Sequence, residues 1–267
     1  APCVAKIVYG QHITDGEVRY LVGGRDFSLD FELCEGTYEF KQYFTRLSGR
    51  YLQAFLPDGA EIVSIGIMPY IYPLTETGLK FENELDQRIY DTCIRTLRLC
   101  MNMHYEDTPW REQALYVLDS RNQMLCGYYA FDETEFQRAN LELIALGTRD
   151  DGMLELTYPS KDTPAIPFFS VMYPVEVYEY VKHTGDKSIL DSTMPTMLKI
   201  MQNFKDRVEP NGLIKSLEAP YWNFYEWTEG SADAIPTQLK YKYVPYYHLL
   251  INCAFVYSGN MFKELCD

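Results

Sequence analysis

What this sequence lacks narrows its chemistry before any motif is read. Nowhere do about eighteen apolar residues run together, so no membrane-spanning helix is expected and no membrane partner. Lys and Arg number 24 against 38 Asp and Glu, a formal net charge of -14. Phosphate backbones and anionic surfaces are bound by clustered cations, so nucleic acid is also excluded as a partner. The 4 histidines do not stand at metal-ligand spacing, and the 7 cysteines form no CxxC pair. An odd, scattered set of this kind reads as reduced, mostly buried thiols. There is no glycine-rich phosphate loop, since Gly23-Gly24 falls in a strand turn, and no G-x-S-x-G elbow for a serine nucleophile. No metal and no cofactor is expected. The start, Ala1-Pro2-Cys3-Val4-Ala5-Lys6, has no charged region leading into an apolar one, as a signal peptide would. The reading is a cytoplasmic protein; the missing initiator methionine implies trimming and leaves the periplasm or secretion open.

What is present suits a folded chain with polar ligands. At 267 residues, 47% apolar and 15% aromatic, it can fill one large core or two domains. Its 23 tyrosines combine a packing ring with a hydrogen-bonding hydroxyl, which suits sugars.

Two regimes of periodicity divide the chain near residue 77. From 1 to 77 the period is two, clearest in Phe27-Ser28-Leu29-Asp30-Phe31-Glu32-Leu33, and further strands are expected at 17–22, 38–47, 51–56 and 62–68. Such a series implies a portion of an antiparallel β-sandwich. From 78 to 267 the period is helical. Asn83 is a helix cap with Asp86 three residues on, and Leu85, Ile89, Cys93, Leu97, Cys100 and Met101 mark one face of a helix about twenty residues long. Helices follow at 118–131 and 134–146, at 168–183 after Pro167 and closing at Gly185, at 187–208 and at 246–257, with 261–267 opening another hairpin. Short turns alternate with the long loops 148–166 and 213–238, as in a toroid of α-hairpins.

Chemistry gathers in two places. The first is the run from His104 to Asp119, which holds Glu106, Asp107, Trp110, Arg111, Glu112, Tyr116 and Asp119 around the helix-stopping Pro109. The second is the loop 213–238, with Glu218, Tyr221, Trp222, Asn223, Glu226, Trp227 and Glu229. From residue types alone the first serves equally as a solvated loop cap in which Arg111 pairs Asp107 or Glu112, and the second as a loop anchored by its tryptophans. His248, alone in an apolar helix, reads as packed or hydrogen-bonded in the core.

The order Asp107, Pro109, Arg111, Glu112, Asp119 resembles the catalytic segment of the bacterial α-L-rhamnosidases, family 78 of the glycoside hydrolases. Thr108 stands where that family usually has cysteine, and Tyr116 where it has tryptophan. A second resemblance runs from Gly49 to Pro73, which looks like the end of the β-sandwich preceding the barrel in that family. The resemblance implies a multidomain α and β chain: a sandwich portion at 1–77, then at 78–267 the first half of an (α/α)6 barrel of the six-hairpin glycosidase type. It implies inverting hydrolysis of terminal α-L-rhamnosides. Glu112 would be the general acid, kept protonated by neighbouring anions, while Asp107, Arg111 and Asp119 hold the sugar hydroxyls. Trp110, Tyr116, Trp222 and Trp227 would supply ring contacts, with Glu226 beside them. The partner is then a small L-rhamnose-containing glycoside. The family's general base lies in the second half of the barrel, so this chain reads as a fragment, completed by a missing C-terminal half or by self-association into a homo-oligomer. The competing reading is a carbohydrate-binding or interaction module on the same toroid, without turnover. Another enzyme on that toroid, such as a lyase, would need a Tyr/His pair or a metal that the sequence does not display.

Overall fold

Alternating side chains at the very start of the chain make the central strand of the first unit. The structure, a computed structural model, describes residues 3–160, 164–233 and 243–267. It divides into two units, Ala1–Tyr70 with Thr108–Gln113, and Ile71–Asp107 with Ala114–Asp267.

In the first unit β1 (Cys3–Gly10) lies between β6 (Ser28–Leu33) and β7 (Tyr51–Phe55) in an antiparallel sheet, with Ile7 opposite both Leu29 and Ala54. Two hairpins are inserted, β2 (Ile13–Thr14) with β3 (Glu17–Val18), and β4 (Leu21–Val22) with β5 (Arg25–Asp26). Each turns on two residues of positive φ, Asp15-Gly16 and Gly23-Gly24, the geometry that matches strand twist in a two-residue loop. Ala5, Val8, Tyr9, Val18 and Phe27 are buried here, with Tyr9 edge-on to Phe27 at 5.6 Å.

The expectations are corrected at several places, the first being the strand at 17–22, which is divided between two hairpins, Glu17–Val18 in one and Leu21–Val22 in the other. The central strand β1 was not among the expected ones. Residues 38–47 form no strand, because their alternate rings pack on each other and on β6 (Phe31 to Phe40, 4.3 Å) in place of a backbone ladder. Residues 62–68 are likewise not a strand: no described segment pairs with them, and Val63 is 91% exposed.

The second unit is helical. Asn83 caps α1 (Glu84–Leu99), its side chain accepting from the backbone N–H groups of Leu85 and Asp86, as expected. Then come α2 (Val117–Ala130), α3 (Glu135–Leu146), α4 (Pro167–Thr184), α5 (Leu190–Lys205, entered through a 3-10 turn at Lys187–Ile189) and α6 (Leu249–Cys266). Pro167 starts α4, and Gly185 ends it with φ 73, the left-handed conformation a residue without Cβ adopts freely. α4 packs along α6 on one side and α2 on the other, while α3 lies against α5 in a second layer. The doubly covered α4 is therefore apolar almost all round, and buries Phe169, Val171, Tyr173, Val175 and Val177. On α2, Gly127 makes room for the Gln137 side chain of α3: a Cβ there would stand 2.9 Å from Gln137 Nε2. The core continues through Leu141, Met197, Ile200 and Phe204.

Further corrections concern the helices and the cysteines: α1 has 16 residues, not about twenty, and buries Ile94 and Leu97, whereas Leu85, Ile89 and Cys93 of the expected apolar face are exposed. α6 does not stop at residue 257 to let 261–267 open a new hairpin; it runs through Gly259-Asn260 to Cys266, because Ile251, Ala254, Ser258 and Leu265 keep one buried face. Of the cysteines only Cys100 is buried, and none is in a disulfide. Parts of the expected long loops, 161–163 and 234–242, lie outside the described residues. Among the described residues no helix is long and apolar enough to cross a membrane.

Candidate active site

The first acid run is split between the two units, and each part has its own scaffold. In the helical unit, Asp107 N–H donates to the Ala114 carbonyl and Ala114 N–H donates to Asp107 Oδ1, both at 3.0 Å, which closes the base of the loop 107–114. Upstream, Tyr105 N–H donates to Asn140 Oδ1 (2.8 Å) and Gln123 Nε2 to the Glu106 carbonyl (2.7 Å), tying the strand-like entry to α3 and α2. Tyr116 is the residue before α2, its ring edge-on to Phe169 at 6.5 Å. Asp119 lies in the first turn of α2, where the free N–H groups of the helix favour an anion.

Thr108–Gln113 belongs to the strand unit. Trp110 packs on Phe27 with ring centroids 4.9 Å apart. Gln113, at φ 54, donates through Nε2 to the carbonyls of Pro109 and Arg46. Arg111 pairs with Glu112 at 2.6 Å, one of the two pairings left open by the sequence, and the Glu112 side chain is 22% exposed. The structure thus gathers Trp110, Arg111 and Glu112 in one unit, and Asp107, Tyr116 and Asp119 in the other.

The second acid and aromatic run is a closed lobe on the helical unit. Tyr225 N–H donates to the Ser231 carbonyl (2.9 Å) and Asp233 N–H to that of Asn223 (2.9 Å), leaving Glu226 and Trp227 at the tip. Trp222 is buried and donates through Nε1 to the Asp233 carbonyl. Trp227 is 78% exposed, yet its ring is backed by Phe224 (4.8 Å) and Trp222 (5.9 Å). The exposed indole is thus held from behind by two rings. Glu226 Oε1 accepts from the Trp227 N–H at 2.6 Å, so one of its oxygens is turned to its own backbone.

Sequence reasoning missed several groups. Glu176, the acid in the otherwise apolar middle of α4, is 1% exposed, and among the described residues neither of its carboxyl oxygens has a hydrogen-bond partner. Burial first, then Glu179 and Asp119, hold its carboxyl well above the ordinary range, against the pull of Arg121. One turn away Arg121 of α2 forks onto Glu179 (2.9 and 2.5 Å). A lone acid inside an apolar helix was the available signal. Asp233 and Tyr246 were missed because their partners are distant in sequence: Tyr246 OH donates to Asp233 Oδ1 at 3.0 Å, and that anion, after burial, holds the Tyr246 hydroxyl above its usual range.

Among the described residues no three of His, Cys, Asp and Glu are grouped to hold a metal ion. An open groove of about 400 Å³ runs along α1 between Glu76, Asp91, Arg95 and Arg98, and neither acid run contributes to it.

Helices paired by short turns, with long connectors that carry the acids and rings, make an α-hairpin fold. Residues 77–254 match the family model described as the bacterial alpha-L-rhamnosidase 6 hairpin glycosidase domain, and the chain belongs to this family. Among solved structures it is similar to the GH78 family rhamnosidase of Bacillus sp. GL1 (TM-score 0.75, 19% identity, 98% of this chain and 26% of that one). It is also similar to the α-L-rhamnosidase of Dictyoglumus thermophilum (TM-score 0.72, 16% identity, 98% and 29%) and to the rhamnosidase from Klebsiella oxytoca with rhamnose bound (TM-score 0.61, 19% identity, 82% and 46%). The chain thus spans about a quarter of the Bacillus protein's length. No curated protein matches it.

Proposed function

We propose that this chain carries the acid-donating and sugar-holding part of an inverting α-L-rhamnosidase. One observation carries the reading: the run Asp107, Pro109, Arg111, Glu112, Asp119 falls inside the stretch 77–254 that matches a glycosidase family. In this reading Glu112 gives its proton to the bridging oxygen as the bond to the anomeric carbon breaks. Water adds from the opposite face, and its proton passes to a second carboxylate to which no residue here is assigned. Asp107, Arg111 and Asp119 hold the ring hydroxyls. Arg111 leaves Glu112 for those hydroxyls when substrate binds, so that the carboxyl can carry the proton it donates. Trp227 is the sugar platform, supported by its exposed, backed indole. Glu226 contributes its outer oxygen, and Trp222 acts from behind. Trp110 and Tyr116 complete the apolar contacts. The ligand of the Klebsiella neighbour favours L-rhamnose as the sugar, and residues 78–267 are assigned to the catalytic domain.

The second reading, binding without turnover, is favoured by the lack of an assigned base. Hydrolysis of an aryl α-L-rhamnoside by the natural full-length polypeptide separates the two. Release of L-rhamnose that falls by at least about a thousandfold in Glu112→Gln supports the enzyme, the scale expected for loss of a general acid and its charge stabilisation. Calorimetric binding of L-rhamnose with no release supports the module. Neither binding nor release removes both.

A further inference from the structure

Among the side chains that fasten the lobe presenting Glu226 and Trp227 is His248, which also begins α6. The imidazole Nδ1 accepts the Leu250 N–H at 3.2 Å, capping the first turn of the helix. Accepting at Nδ1 puts the neutral ring's proton on Nε2. The same ring lies face to face with Tyr225, at 4.1 Å and 9°. Tyr225 is itself buried, and its other neighbour is Phe168 at the start of α4, edge-on at 5.2 Å. A ring from α4 and a ring from α6 thus both engage the residue just before the proposed sugar-contacting pair. The surrounding bonds agree with this: Tyr246 N–H donates to Ser216 Oγ (2.9 Å), and Tyr246 OH reaches Asp233 at the far end of the lobe.

We propose that His248 is a positioning residue for the Glu226-Trp227 tip: its ring clamps Tyr225, fixing the lobe to the N-terminus of α6. The inference rests on the reading of that tip as sugar-contacting only for its effect on binding; the clamp itself is independent of the ligand. Its two jobs use different parts of the side chain, and two substitutions separate them. Asn caps a helix as well as any residue but has no ring, whereas Phe keeps a ring and cannot cap.

The test is hydrogen exchange, followed by mass spectrometry, on peptides covering 222–233 and on peptides from α6, together with calorimetry against L-rhamnose. His248→Asn is expected to speed exchange in 222–233 several-fold, up to about tenfold, the scale of one lost ring pair, while α6 stays protected. His248→Phe is expected to leave 222–233 protected and to loosen only the first turn of α6. L-Rhamnose affinity should fall in His248→Asn and hold in His248→Phe. Unchanged exchange of 222–233 in His248→Asn, or equal loosening of the lobe in both variants, overturns the clamp. If exchange behaves as expected but the unsubstituted chain binds no L-rhamnose, the clamp stands and the proposed function loses its support.

Discussion

The strand unit and the helical unit are held together in different ways. The first buries a handful of side chains, among them Ala5, Val8, Tyr9, Val18 and Phe27, and leaves long apolar stretches such as 62–68 uncovered. The second has a continuous core in which whole side chains, including Tyr173, Met197 and Phe204, are out of solvent. A small sheet with unpaired edges draws its order from a few ladders and rings. A helix stack draws it from area, and can then accommodate a buried acid such as Glu176. Stability is thus concentrated in the helical unit, and substitutions of similar kind should have unequal effects in the two.

The contrast can be broken first at its strongest point. Phe204→Ala removes a fully buried ring that stacks on Phe255 (5.7 Å) and should destabilise the helical unit by about 4 kcal/mol in urea unfolding. A loss under about 1 kcal/mol would mean that the core is not the continuous one described. Next is Glu176→Gln, which tests a cost carried inside that core. The folded carboxyl is raised above its ordinary value of 4.5, so below that pH both states are protonated and nothing is lost. As pH rises past it, the unfolded chain releases a proton that the folded one keeps. Stability then falls by up to about 1.4 kcal/mol per pH unit until the folded group titrates. Glu176→Gln lacks this slope, so it should match the unsubstituted chain near pH 4 and melt higher at pH 8; a gap that does not change with pH would refute it. In the strand unit, Val8→Ala trims the central strand and should cost about 1.5 kcal/mol, read as the loss of signal from that unit in denaturant. The smallest effect is expected for Val63→Asp. Its side chain touches almost nothing, so stability should move by no more than about 0.5 kcal/mol, and a larger loss would show that 62–68 is covered after all.

The helical unit was far more legible in sequence than the strand unit. Asn83 before α1, and Pro167 and Gly185 at the two ends of α4, are local signals, each acting on the backbone within a few residues. They placed their helix ends to within a residue or two. Gly259-Asn260 is also local and misled, because the buried face of α6 outweighs two poor helix formers. In the strand unit alternation alone was the guide, and alternation does not say whether a partner strand exists. Residues 28–33 found β1, whereas 38–47 and 62–68 found none. The residues from Asp107 to Asp119 are neighbours in sequence, but the sequence did not show that the structure divides them between two units. Tyr225, Asp233, Tyr246 and His248 meet only when the lobe closes on α6, and nothing in their spacing announces it. Glu176 was missed although its place between Val175 and Val177 in the apolar middle of α4 was a signal, because the sequence does not show how completely it is buried.

Helices α2 and α3, and α4 and α5, are joined by short turns, while the connectors that carry acids and rings all leave from the opposite helix ends. Those connectors also reach into the packed pairs behind them, through Tyr105 on Asn140 of α3 and Tyr225 on Phe168 of α4. A substitution at one end of the stack is therefore felt in its middle, and lineages that alter the connectors must retune the helices along with them.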